Sequence, residues 1–544
     1  MVIGGVRFWE GKITSQPVLF IILLGLALNL SGAWLLPLID RDEPRFAEAS
    51  REMLARPDWV VPWFNGEPRY DKPPLIYWAQ MACYRCLGQT PLAARLPSTL
   101  FATGTSLLLF FWARRLTGPR TALVAAVMFT TCLQMAVHAR LAVADMPMIF
   151  FVCAAQWSGW EASRPTAARP GRWWLVFYIS LALGFLAKGP VAWLPVLGLA
   201  LGRRLYPQHF RFGPGWFLLG MPLMLGLVAL WGIPALLQTH GEFLKVGLGY
   251  HVLGRSVGIM DGHGAKSLAG WIEWLPFYLV TFFGSFFPWA MWMPRALRNW
   301  WPARREDVFG SYLLLQAGLV FLVFTLVRTK LPHYTLPAFP CLALWLARAR
   351  EAGCLQSWRE RKRVPVMLAN VLVMLTAAII LAVCLPGWWG IKLAASLSVL
   401  LAIPVLAGLL NGWGVRKAAL LMSIVILLLN LGIGLGLRPY FLAHSLFEKA
   451  RPQLNSAMEF ATVQYEEPSL VWEFGPVITN HLQYLTVTGA ADFLHRSGPS
   501  VLIVPTALYE TNLIRQADPA TVIQVQGVNW VTGRPAGLTA LIHP

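Results

Sequence analysis

The stretch PVLFIILLGLALNLSGAWLLPLIDRDEPRFAEASREM, residues 17–53, decides the fold. Residues 17–38 are apolar and uncharged over the length a helix needs to cross a bilayer core. Arg7 and Lys12 stand before this run and hold its start on the inner side, so it reads as an uncleaved first span. The chain then emerges on the outer face, where Asp40, Arg41, Asp42, Glu43 and Arg45 crowd together. From Glu43 onward, Phe46, Ala47, Ser50 and Met53 recur at helical spacing, which predicts an amphipathic helix beginning near Asp42.

The same alternation of apolar run and charged loop continues along most of the 544 residues. The chain is 56% hydrophobic, with 26 Trp, many of them where apolar runs meet loops, as in an interfacial belt. Further spans are expected near 95–116, 120–136, 146–160, 173–188, 190–205, 214–237, 272–296, 310–328, 333–347, 365–385, 391–410 and 417–437, about 13 in all. The net charge of +19 resides in short loops, among them Arg114/Arg115/Arg120, Arg164/Arg169/Arg172, Arg203/Arg204 and Arg298/Arg304/Arg305. These fall on alternate loops, which is the positive-inside pattern and not a phosphate-tracking face, so nucleic acid is excluded as a partner. The segment 75–87, LIYWAQMACYRCL, is too short to span and carries Arg85; it reads as an amphipathic helix lying on the outer surface. Its Cys83 and Cys86 lack the further ligands a metal or redox site needs.

Two domains follow. Residues 1–438 form the transmembrane part with outer loops 39–94 and 238–271, and 439–544 form an outer α/β domain. The tail 440–544 holds eight acidic and five basic residues, so the basic excess belongs to the membrane part. Its runs LVWEF (470–474), VLIVP (501–505) and VIQVQ (522–526) read as strands.

The chemistry gathers outside. RYDKPP (69–74) holds Lys72 on a turn stiffened by two prolines, suited to a phosphate contact. HARLAVADMPM (138–148) places Asp145 at the mouth of a span, and FLAKGP places Lys188 at the end of another, where an ionisable group is costly and usually functional. RTKLPHYTLP (328–337) adds Lys330, His333 and Tyr334, and loop 238–271 adds His251, Arg255, Asp261 and His263. Outer cations that break the orientation rule, including Arg45, Lys72, Arg140, Lys188, Arg255 and Lys330, call for an anionic partner, for which a lipid-linked phosphate is the natural form. No Walker A or GxGxxG motif follows a strand, so a nucleotide donor is not indicated.

DEPRFAEASREM, then YDKPP, then Asp145, together with AKGP, HVLGR and TKLPHY, resemble the ArnT family of aminoarabinose transferases, GT-C membrane glycosyltransferases related to protein O-mannosyltransferases. Where that family often has DETRY and EKP, this chain has DEPRF (42–46) and DKP (71–73), with charge kept. The resemblance implies a Gram-negative inner-membrane enzyme with its active site facing the periplasm. It implies inverting transfer of 4-amino-4-deoxy-L-arabinose from undecaprenyl phosphate to lipid A phosphates, with polymyxin resistance as the consequence. It puts the family's acids on Asp42 and Asp145, its arginine on Arg45 and its lysine on Lys72. The expected site is therefore Asp42, Glu43 and Asp145 as catalytic acids; Arg45, Lys72, Lys188, Arg255 and Lys330 on the donor phosphate; and Tyr70, Asp71, His251, His333 and Tyr334 around the substrate. No cofactor is required by any motif; a divalent cation is compatible with the outer carboxylates and histidines. A monomer among membrane lipids is expected. Alternatives are a GT-C transferase moving another polyprenyl-phosphate-linked sugar to lipopolysaccharide or protein, and a lipid transporter, which would bury charges mid-span and show an internal repeat.

Overall fold

The computed structural model describes residues 15–167, 169–210, 214–254, 268–355, 414–496, 498–510 and 521–543. Helices build nearly all of the first part: α1 (Ser15–Leu30), α2 (Asp42–Ala55), α3 (Leu75–Leu87), α4 (Pro91–Leu116), α5 (Pro119–Thr130), α6 (Leu133–His138), α7 (Asp145–Ser163), α8 (Pro170–Lys188), α9 (Leu194–Leu205), α10 (Pro214–Gln238), α11 (Val308–Leu326), α12 (Phe339–Glu351) and α13 (Val415–Leu437). Five stretches are long and apolar enough to cross a membrane by length and composition: Pro91–Leu116, Pro170–Lys188, Leu218–Gln238, Val308–Leu326 and Val415–Tyr440. On α10, Leu218, Leu219, Leu230 and Leu237 are each well over half exposed, a surface that lipid rather than water must cover. The chain is a membrane-embedded helical protein.

Several expected spans are broken. The run 272–296 is split into Leu268–Glu273, Phe277–Ser285, a 3-10 turn at Trp289–Trp292 and Met293–Trp300. Pro276, Pro288 and Pro294 fall at the breaks, each lacking the amide a continuous helix would use. The spans expected near 365–385 and 391–410 lie outside the described residues. Helix α3 is amphipathic as read: Ile76, Tyr77, Gln80, Met81 and Tyr84 are buried, packed mainly on α2 and α4, while Ala82, Arg85, Cys86 and Leu87 are exposed. Gln80 fixes the buried face, because it accepts from Ser50 Oγ (2.6 Å) and donates to the Ala94 carbonyl (3.0 Å). Where helices touch, small residues permit it. A Cβ at Gly220 of α10 would run into the Tyr178 ring of α8.

The tail folds around a mixed sheet. Strands β3 (Glu459–Val463), β4 (Gln483–Leu485), β5 (Ser500–Pro505), β6 (Thr521–Asn529) and β7 (Arg534–His543) run in the order β4-β3-β5-β7-β6, after a short ribbon in the first loop, β1 (Trp63–Phe64) with β2 (Glu67–Pro68). β3 pairs in parallel with β4 and β5, while β7 lies antiparallel between β5 and β6. VLIVP and VIQVQ are strands as read, but LVWEF is part of a helix, α14 (Pro468–Phe474). Pro468 starts that helix, and Arg51 of α2 ends it by donating to the Val471 and Trp472 carbonyls.

Through α14 the tail grips the first loop. Asp40 accepts from Ser469 N (2.8 Å) and Ser469 Oγ (2.5 Å), Arg41 meets Glu467 at 3.2 Å, and Asn65 exchanges hydrogen bonds with the Leu482 backbone. Burial pushes the Asp40 carboxyl up to about 7; the Ser469 bonds oppose this, Glu467 adds to it and Arg45 opposes it. A carboxyl raised on folding contributes stability that is complete below its ordinary value of 3.8 and is lost as pH rises through about 7. Hydrogen exchange of the α14 backbone should therefore quicken across that window in the wild type and stay flat in Asp40→Asn. Equal pH dependence in both proteins would refute this.

Candidate active site

Helices α7 and α8 form an antiparallel hairpin, so the first residue of one meets the last of the other. Lys188 Nζ donates to Asp145 Oδ1 at 2.5 Å, with side-chain exposures of 18% and 7%. An acid at a helix N-terminus and a base at a C-terminus each complement the local helix dipole. Gly189, at φ +84°, closes α8 by bonding to the Phe185 carbonyl, which is why glycine follows the lysine in AKGP.

Around this pair the neighbouring elements bring further groups. His138, the last residue of α6, packs at a tilt against His333 with ring centroids 4.9 Å apart, and Gln134 Nε2 lies 3.0 Å from the His138 Nδ1. Asp145, Lys188 and Asp42 all bear electrostatically on His138. The Tyr334 ring centroid is 6.0 Å from Lys188 Nζ. Asp42 opens α2 and is exposed, within electrostatic reach of Arg69. Arg69 pairs with Asp71 (2.9 Å) and rests on the Phe46 ring.

Beside these groups a cavity of about 280 Å³ opens, lined by Asp71, Lys72 and Lys188 with apolar walls including Phe185, Trp231 and Phe243. Tyr70 packs edge-on against Phe243 behind it. Lys72 Nζ donates to the Asp71 carbonyl at 3.1 Å, on the turn held by Pro73 and Pro74. An apolar cavity with two ammonium groups accommodates an amphiphile with an anionic head. Among the described residues no cluster of three or more His, Cys, Asp or Glu could hold a metal ion.

Two expected site residues are committed elsewhere. Glu43 is 2% exposed and both its oxygens are taken: Oε1 accepts from Arg95 Nε (2.8 Å) and Ala142 N (2.8 Å), and Oε2 from Arg95 Nη2 (2.7 Å) and Ile39 N (2.9 Å). It is a buried strut, not an acid facing substrate. Lys330 is 3% exposed and donates to the carbonyls of Phe324, Thr325 and Val327, capping the C-terminal end of α11; burial lowers its ammonium to about 8. Lys330→Met should cost about 1–3 kcal/mol by orphaning those carbonyls, read as a lower unfolding midpoint with donor KM unchanged; the reverse pattern would return Lys330 to the donor. Arg45 is half-buried one turn along from Asp42, where its charge bears on Asp40 and on Tyr484 of the tail. Arg255, Asp261 and His263 lie outside the described residues, as does the side chain of His251. The sequence reading passed over His138, Arg69 and Arg95. Arg95 carried a signal, since it is a cation near the start of α4, at the end of an apolar run that the orientation rule expects outside.

The family described as dolichyl-phosphate-mannose-protein mannosyltransferase matches residues 71–233, the segment that carries Lys72, His138, Asp145 and Lys188. The undecaprenyl phosphate-alpha-4-amino-4-deoxy-L-arabinose arabinosyl transferase of Edwardsiella ictaluri is 31% identical over 56% of this chain and 54% of its own length. A second such transferase, from Sodalis glossinidius, is 30% identical over 66% of this chain and 65% of its own. The crystal structure of ArnT from Cupriavidus metallidurans bound to undecaprenyl phosphate superposes with a TM-score of 0.75 over 96% of this chain and 97% of that one, at 19% identity. The chain shares its fold with ArnT and is similar in sequence to the aminoarabinose transferases. The GT-C fold extends further: the Archaeoglobus fulgidus oligosaccharyltransferase matches with a TM-score of 0.51 at 11% identity. In sequence, the chain spans roughly half to two thirds of the length of the curated relatives it matches.

Proposed function

We propose that this chain transfers 4-amino-4-deoxy-L-arabinose from undecaprenyl phosphate to a lipid A phosphate, at the periplasmic face of the inner membrane. The observation that carries this reading is the apolar cavity bearing Lys72 and Lys188 directly beside the Asp145–Lys188 pair. The polyprenyl chain lies along the apolar wall of α8 and α10. Its phosphate meets the two lysines, whose charge grows in value as the leaving phosphate gains charge. An acceptor phosphate is already ionised near neutral pH, with a second pKa of about 6, so it needs positioning more than deprotonation. One of its oxygens attacks C1 of the sugar in line, the bond from C1 to the donor phosphate breaks, and undecaprenyl phosphate leaves, inverting C1. Asp145 orients Lys188, and Asp42 pairs with the sugar's ammonium. The orientation rule places the N-terminus inside, about 13 spans in the membrane, and the tail and site outside, with one chain acting as a monomer.

Expression in a bacterial strain lacking its own enzyme, followed by lipid A mass spectrometry, tests the reading. A mass increment of one aminopentose, with better survival in polymyxin, is expected. Lys72→Ala should raise donor KM by about tenfold or more, the loss of one charge-assisted contact. Unmodified lipid A despite full membrane expression would refute the reading and direct attention to another sugar or a protein acceptor.

A further inference from the structure

Arg140 is 7% exposed, yet no hydrogen bond or ion pair reaches it among the described residues, and its Nη2 is sealed from solvent without a partner. Its charged neighbours are Arg95 and Glu43. Glu43 offers no relief, because its two oxygens already serve Arg95 and two backbone amides. Arg95 is further satisfied by the carbonyls of Ala33, Leu36 and Pro37. Two guanidiniums therefore share one carboxylate in a buried place, a net charge of about +1 of the kind proteins rarely leave uncompensated. Burial, with Arg95 adding repulsion, lowers Arg140 to about 10 against the pull of Glu43.

The position of Arg140 separates it from the donor cavity. Its Nη2 lies against the turn after α1, where a Cβ on Gly32 would stand 3.5 Å from it, and the same Cβ would meet the Asn430 carbonyl of α13. The donor cavity is walled by α8 and α10 instead. The single segment 138–145 thus sends His138 and Asp145 to Lys188 and His333, and Arg140 to the seam of α1 and α13.

We propose that Arg140, backed by Arg95, is a subsite for a phosphate monoester, and that in the reaction proposed above it receives the acceptor's phosphate on the flank of the acids opposite the donor. The second half rests on the proposed transfer; the first does not. A guanidinium presents a planar fork that matches phosphate oxygens, and a phosphate monoester supplies the negative charge the buried cluster lacks.

The test uses the full chain in phosphatidylcholine nanodiscs, with and without phosphatidic acid, and separately with inorganic phosphate alone. A ligand that binds only the folded state raises its unfolding midpoint. Phosphatidic acid is expected to raise the midpoint of the wild type, Arg140→Lys is expected to keep part of the rise, and Arg140→Gln none. Without ligand, Arg140→Gln should unfold no earlier than wild type, because it removes an uncompensated charge. In the transfer assay it should raise acceptor KM about ten- to hundredfold, the loss of a charge-assisted contact, with donor KM unchanged. No anion-dependent shift in the wild type, or a shift that survives in Arg140→Gln, would overturn the subsite. A shift with inorganic phosphate but none with phosphatidic acid would leave a free-anion site and overturn the acceptor assignment. A phosphatidic acid shift lost in Arg140→Gln, in a chain that transfers no sugar, would keep the subsite and sink the proposed reaction.

Discussion

Asp145→Asn is expected to lower kcat by about 10²–10³-fold, the effect of removing one preorganised electrostatic group at a developing charge. The geometry gives the reason. Asp145 holds Lys188 at 2.5 Å from the first turn of α7, so the lysine's direction toward the cavity is fixed before any ligand arrives. Asparagine keeps the shape but loses the charge, and Lys188 becomes free to turn or to lose its proton. Stability will fall too, because one partner of a mostly buried pair has been neutralised. The double variant Asp145→Asn with Lys188→Met separates the two effects. It should recover much of the lost stability and none of the lost turnover, whereas a purely structural pair would recover both. Full transfer activity in Asp145→Asn would remove Asp145 from the mechanism.

Glu43→Gln is expected to destabilise the protein by about 3–5 kcal/mol, the range for breaking a buried ion pair by removing one partner. The loss leaves Arg95 facing the carbonyls of Ala33, Leu36 and Pro37 without a counter-charge, with Arg140 beside it. It also loosens the Ile39 and Ala142 amides, which tie the end of the first span to the segment leading into Asp145. A fall in unfolding midpoint is the readout, with the folded fraction turning over at close to the wild-type rate. If turnover collapsed while stability held, Glu43 would belong among the catalytic acids after all. Glu43 and Asp42 are neighbours in sequence with opposite fates: one is exposed at the start of α2, the other sealed beneath it.

That divergence marks where reading from sequence stops. Apolar length and the placement of basic loops are local properties, because a bilayer forces each spanning segment to satisfy its own backbone. The membrane class, the helix beginning near Asp42 and the strands at 501–505 and 522–526 were legible for this reason. Lys72, on its proline-stiffened turn, and Asp145 and Lys188, each at the end of an apolar run, were also legible as candidates for one site. The orientation rule singled out Arg140 as a cation expected outside, but it could not say that this side chain has no partner among the described residues while Arg95, which was passed over, is fully satisfied. LVWEF alternates well enough for a strand, yet Pro468 and the carbonyl-binding Arg51 make it a helix. Helix α3 has the composition of a surface helix, and only the structure shows that its inner face is pinned by Gln80, which accepts from Ser50 and donates to the Ala94 carbonyl. Lys330 looks like an outer phosphate ligand until the end of α11 claims its three protons. The sequence by itself determined the membrane class and which charged residues cluster between the apolar runs, because hydrophobicity and charge act residue by residue. Only the tertiary structure decided which of those charges face a cavity and which are spent on backbone or on one another. That depends on contacts across 30 to 430 residues of chain, such as Ser50 with Gln80, Arg95 with Glu43 and Asp40 with Ser469.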